Sequence, residues 1–131
     1  MARSIHVPGL EHGANPIPAA SRRGPLLATG GVHGNDPDSG AIPDDARDEI
    51  RHALTNLGTI LHAGGAGWAD VVHVAVSLTG AGARELLNEQ WTFIYPDPDA
   101  RPARHVTIRP LPAGMTIQIE ALAFVTGDSG A

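Results

Sequence analysis

The residues best suited to chemistry are Arg104, in "RPARH", and Glu120, in "IQIEALA". Arginine is always charged and presents a planar fork of donors that can grip a carboxylate at two points. A glutamate can hold or deprotonate a water molecule. In the last strand, alternation sets Ile117, Ile119, Ala121, Ala123 and Val125 on one face and Gln118, Glu120, Leu122 and Phe124 on the other. Glu120 thus shares its face with two large apolar groups, where an ionised carboxylate is costly unless paired or wet. Arg104 likewise shares a face with Val106 and Ile108. Two readings fit: a structural ion pair closing the edge of a sheet, or a site in which a partner or cavity meets both charges. A hairpin centred on Pro112 would set Arg104 directly opposite Glu120, because residues equidistant from a turn face one another. The intervening loop, with two prolines, is not the two-residue turn that fixes register tightly.

Other candidates are weaker. The histidines at 6, 12, 33, 52, 62, 73 and 105 include no pair four apart on a helix, so the reading is of ordinary surface or half-buried imidazoles and no metal site. "TGGVHGND" has glycines at a strand end but lacks the GK[ST] ending of a phosphate loop and runs into an acidic turn. There is no GxSxG elbow.

The elements that must position these residues follow from periodicity. "NPIPAASRRG" allows at best a short edge strand, since proline cannot donate to a central ladder. "PLLATGGVHG" reads as a short strand running into glycines, and "NDPDSGAIPDD" as a loop. Ile50, Leu54, Leu57 and Leu61 recur at helical spacing, with Asp44, Asp45, Asp48 and Glu49 at the positive end of the dipole and "AGGAG" as the stop. "DVVHVAVSLTG" predicts a strand with Val72, Val74, Val76 and Leu78 on one face. A second helix is predicted from about Arg84 to Tyr95, then strands over roughly 105–109 and 115–125. The order β-β-α-β-α-β-β belongs to mixed α/β or α+β architectures with helices packed on a sheet.

Composition narrows the function. A chain of 131 residues is sized for one domain, 1–131, with 1–14 and 127–131 expected to be flexible ends. There is no cysteine, which removes disulfides, thiolate nucleophiles and cysteine-based metal sites. All nine basic residues are arginines, so no lysine offers a Schiff base. A net charge of −5 gives no basic footprint for nucleic acid. No window nears the ~20 apolar residues that span a bilayer, and the first residues lack the apolar core of a signal peptide. The expectation is a soluble, cytoplasmic protein with no nucleic-acid or membrane partner.

Four segments carry a resemblance to a known family. "GPLLATGG", "NLGTILHAGGAGWADVVHVAVSL", "LNEQW", and "RPARH" followed by "IQIEALA" are together similar to the RidA/YjgF family of reactive-intermediate deaminases, over about Asn15 to Val125. The resemblance implies an α+β (α/β), chorismate-mutase-like fold: a mixed sheet covered on one face by two helices, assembled as a barrel-like homotrimer. It places the last strand inside the sheet, against the simple hairpin, and places the sites in clefts between subunits. It implies hydrolysis of small imines or enamines such as 2-aminoacrylate to a carbonyl compound and ammonia, without cofactor. Arg104 and Glu120 match the family's arginine and glutamate as catalytic residues, and Asn88 its asparagine.

The surrounding positions depart from the family pattern. Its "PYSQA" is here "PIPAA", replacing the tyrosine by Ile17. The serine before Gly31 is Gly30, the residue after the arginine is His105 with Val106 next, and Trp91 stands where a tyrosine is usual. Ile17, Gly30, Gly31, Asn88, Trp91, His105 and Val106 are therefore the expected substrate-binding residues, for a small compound with a carboxylate or an amino or imino group. Alternation points His105 away from Arg104. Two further functions stay open: a pathway-specific dehydratase, cyclase or tautomerase using the same Arg/Glu site, and a ligand-binding trimer without turnover.

Overall fold

The computed structural model describes residues 2–112 and 114–126; the end expected to be loose at 127–131 lies outside them. Seven strands, β1 (Ser4–Ile5), β2 (Ala20–Arg23), β3 (Leu26–Thr29), β4 (Val32–His33), β5 (Val71–Leu78), β6 (Ala103–Ile108) and β7 (Ile117–Phe124), form one sheet. Its order is β1-β2-β3-β7-β5-β6, with β4 also on β7. Helices α1 (Ala46–Ala63) and α2 (Arg84–Ile94) connect the strands. All pairings are antiparallel except β5 with β6, which α2 joins as the crossover that parallel neighbours need.

Helix α1 begins where Asp45 accepts from the backbone N–H groups of Arg47 and Asp48, satisfying donors that a helix start leaves open. It ends in a Schellman turn: Gly65, at φ +82°, donates to His62 O and Ala66 donates to Leu61 O. Its buried stripe of Ile50, Ala53, Leu54, Leu57, Ile60 and Leu61 meets Leu27, Val74, Val76, Leu78, Ile117 and Ile119 from the sheet. Each such side chain contributes about 1.5–3 kcal/mol on burial, which determines the face of the sheet that the helices cover. Glu49, expected to serve the helix dipole, is instead buried, and one carboxylate oxygen accepts from Thr116 N (2.7 Å) and Ile117 N (3.3 Å). This pins the start of β7 to α1.

Four expectations change. The hairpin drawn from local register does not form, and the last strand lies inside the sheet as the resemblance implied: β7 lies between β3 and β5, and β6 is an edge strand. The strand face expected to carry Val72 carries Val71, because a bulge at Val71/His73 shifts the register; Val71 is buried and Val72 is 51% exposed. The segment 1–14 is not a loose end over its described part, since β1 pairs with β2 and Val7 and Leu10 enter the core. β2, read as an edge strand at best, is flanked by β1 and β3.

The opposite face of the sheet has no helix over it. On it β7 presents Gln118, Glu120, Leu122 and Phe124, and β3 presents Leu26 and Ala28. No helix of the described residues is long and apolar enough to cross a membrane.

Candidate active site

Arg104 reaches its position through register. It pairs with Val74 of β5, and Val106 with Val76, so both point to the helix-covered side of the sheet. There the arginine meets α2. Asn88 and Trp91 stand three residues apart on one face of that helix; Asn88 Oδ1 accepts from Arg104 Nη2 at 2.7 Å, and the guanidinium carbon lies 4.9 Å from the centre of the Trp91 ring. Val106 packs against the core beneath it. Burial pushes the guanidinium pKa down, and the like charge of Arg84 adds to this. The second terminal nitrogen, Nη1, is buried and has no hydrogen-bond partner among the described residues. The fork is thus fixed at one tine and open at the other.

Glu120 does not share this setting. It stands opposite Ala75, and Ala75 in turn stands beside His105, so Glu120 and His105 lie on the open face with one strand between them. Two strand spacings put their backbones roughly 10 Å apart. Arg104 and Glu120 are on opposite faces of the sheet. The described residues form ion pairs at Arg47–Glu89 and Arg51–Asp48, so a structural Arg104–Glu120 bridge within one chain is excluded.

Gly30 and Gly31 join β3 to β4 and form a third group. Gly30 N donates to Ala19 O at 2.9 Å, drawing the segment that carries Ile17 over the turn; Ile17 itself is 52% exposed. A side chain on Gly31 would displace the Gln118 amide, whose nitrogen would lie 2.8 Å from the added carbon. Gln118 is held on its other side by His33, Nε2 to Oε1 at 3.3 Å, and the His12 ring meets His33 edge-on at 6.2 Å. Burial lowers the His33 pKa; the Gln118 bond opposes this, His12 adds to it and Glu49 opposes it.

The structure therefore brings Arg104, Asn88, Trp91 and Val106 together, sets Gly30 and Gly31 beside Gln118, and leaves Glu120 and His105 on the open face. Gln118 and Arg84 are the residues that spacing did not single out. Gln118 alternates in step with Glu120, and that shared face was the available signal. The described residues contain no group of three His, Cys, Asp or Glu side chains that could hold a metal.

A family model described as endoribonuclease L-PSP matches residues 13–125. A rat protein named 2-iminobutanoate/2-iminopropanoate deaminase is 38% identical over 71% of this chain and 68% of its own. Reactive Intermediate Deaminase A, chloroplastic, from Arabidopsis thaliana is 30% identical over 82% of this chain and 58% of its own. Among solved structures, Escherichia coli TdcF with bound serine superposes with a TM-score of 0.86 at 25% identity, covering 95% of this chain and 99% of that one.

Proposed function

The chain belongs to the RidA/YjgF family, described by its matching model as endoribonuclease L-PSP, and from this premise we propose that it hydrolyses a small imine or enamine bearing a carboxylate. The observation that carries the reading is the open Nη1 of Arg104: a half-buried cation, oriented by Asn88 and Trp91, with a donor that awaits an acceptor. A carboxylate satisfies that donor and relieves the burial of an uncompensated charge. The names of the rat and plant relatives and the serine bound to TdcF support a small, carboxylate-bearing substrate.

In the reaction, an enamine first tautomerises to its imine by moving a proton from nitrogen to carbon; water then adds to the C=N carbon with one proton passing to nitrogen, and the hydroxyl proton follows as the C–N bond breaks to leave a carbonyl compound and ammonia. The protonated imine is already electrophilic, so holding the substrate and one water in reacting geometry supplies much of the acceleration. Arg104 anchors the carboxylate. Glu120 takes the proton of the attacking water and returns it to the leaving nitrogen. Because these residues occupy opposite faces of one sheet, the reading places the site between subunits of a homotrimer, with Arg104, Asn88, Trp91 and Val106 from one protomer and Glu120, Gly30, Gly31 and Ile17 from its neighbour. The uncovered apolar residues Leu26, Leu122 and Phe124 supply a reason for subunits to meet there.

A second reading, dehydration, cyclisation or tautomerisation by proton shuffling, draws support from His105 sharing the open face with Glu120. The test generates 2-aminoacrylate in situ and follows pyruvate and ammonia. Accelerated release that Arg104→Ala reduces by about a hundredfold, the loss of a charge-assisted contact, supports hydrolysis. No acceleration by the native protein with 2-aminoacrylate or with any other small carboxylate-bearing imine refutes it.

A further inference from the structure

Helix α2 carries a second cation toward the Arg104 site. Arg84, Asn88 and Trp91 stand at i, i+4 and i+7, one stripe of the helix, and Arg104 lies along it, bonded to Asn88 and stacked on Trp91. Arg84 therefore occupies the next turn of the stripe that faces the guanidinium, and its charge acts on Arg104.

Arg84 is poorly placed for stability alone. It is the first residue of α2, where the helix dipole is positive and a cation is disfavoured. It stands near another cation. The positions from which a helix partner would reach it, 87 and 88, hold leucine and asparagine. It joins no ion pair among the described residues, and Glu89, the residue after Asn88, is taken by Arg47 at 3.1 Å. Two cations, one with a buried open donor, thus lie along one stripe of α2, and among the described residues no carboxylate of the same chain pairs with either. A ligand with one acid group satisfies Arg104 and leaves Arg84 opposed to it. A ligand with two satisfies both.

We propose that this site selects substrates with two acid groups, the imine or enamine of a small dicarboxylate, with Arg104 holding the carboxylate next to the C=N carbon and Arg84 the distal one. The proposal rests on the hydrolytic reading for the imine, but not for the two acid groups, so binding and turnover test them separately.

Calorimetric titration of the full-length protein at fixed ionic strength compares succinate and glutarate with butyrate. The expected result is at least about tenfold tighter binding of a dicarboxylate, the worth of one charge-assisted contact. Arg84→Gln should erase that preference, and Arg104→Gln should abolish binding of all three. Equal affinity for mono- and dicarboxylates, no saturable binding, or a preference that survives Arg84→Gln overturns the proposal. In parallel turnover assays with 2-aminoacrylate and with the imine of a small amino dicarboxylate generated in situ by an amino-acid oxidase, a protein that prefers dicarboxylates yet accelerates ammonia release from neither refutes the hydrolysis and keeps the dianion site. Pyruvate release without the preference does the reverse.

Discussion

His33 and Arg104 owe their chemistry to neighbours far away in the chain. His33 is lined by His12 from the N-terminal segment, Glu49 from α1 and Gln118 from β7, and burial outweighs the groups that favour its charge. In the fold it resists protonation relative to its ordinary value of 6.5. As pH falls through that value, the unfolded chain takes up a proton that the folded chain refuses, so stability declines on acidification. An NMR titration should put the His33 midpoint below 6.5, and Gln118→Leu, which removes the bond that favours the charged ring, should lower it further. A rise in the Gln118→Leu variant would contradict the assigned contact. At this scale Arg104 was legible, because β6 alternates regularly and its face follows from counting. His33 was not, since its partner lies 85 residues away.

Among the elements, α1 follows from apolar spacing and its caps, and α2 from the segment that "PDPDARP" cuts off, all of which are local. β5 shows where counting fails. Its valines alternate, yet the bulge moves one step of the register, so Val71 is covered and Val72 faces out. Val71→Thr should cost about 1–3 kcal/mol by burying a hydroxyl, and Val72→Thr should stay within about 0.5 kcal/mol. Chemical denaturation of the two variants checks this, and unbroken alternation demands the opposite order. The pairing of β7 was also beyond local reasoning. Sequence proximity favours a hairpin with β6, but Glu49 binds the first amides of β7 and the βαβ crossover makes β6 the parallel neighbour of β5.

For the whole molecule, the uncovered sheet face is the feature with most consequence. Leu26 (47% exposed), Leu122 (38%) and Phe124 (48%) lie on it beside Glu120, and association through this face is what would carry Glu120 of one protomer toward Arg104 of another. Replacing both Leu122 and Phe124 by glutamate should shift the mass by light scattering from trimer to monomer, with loss of turnover but little loss of protomer stability. A native protein that is monomeric and active would refute the intersubunit site. The sequence by itself determined both helices, the longer strands, the absence of cysteine and lysine chemistry, and the face on which Arg104 lies, because those rest on residue type and short-range periodicity. Only the tertiary structure decided that Arg104 and Glu120 stand on opposite faces of the sheet, that Arg84 shares a helix stripe with the contacts of Arg104, and that Gln118 lies against Gly31 and His33. Strand order and register arise from contacts between distant segments, and a one-residue slip or a change of neighbour moves a side chain to the other face while leaving the local pattern unaltered.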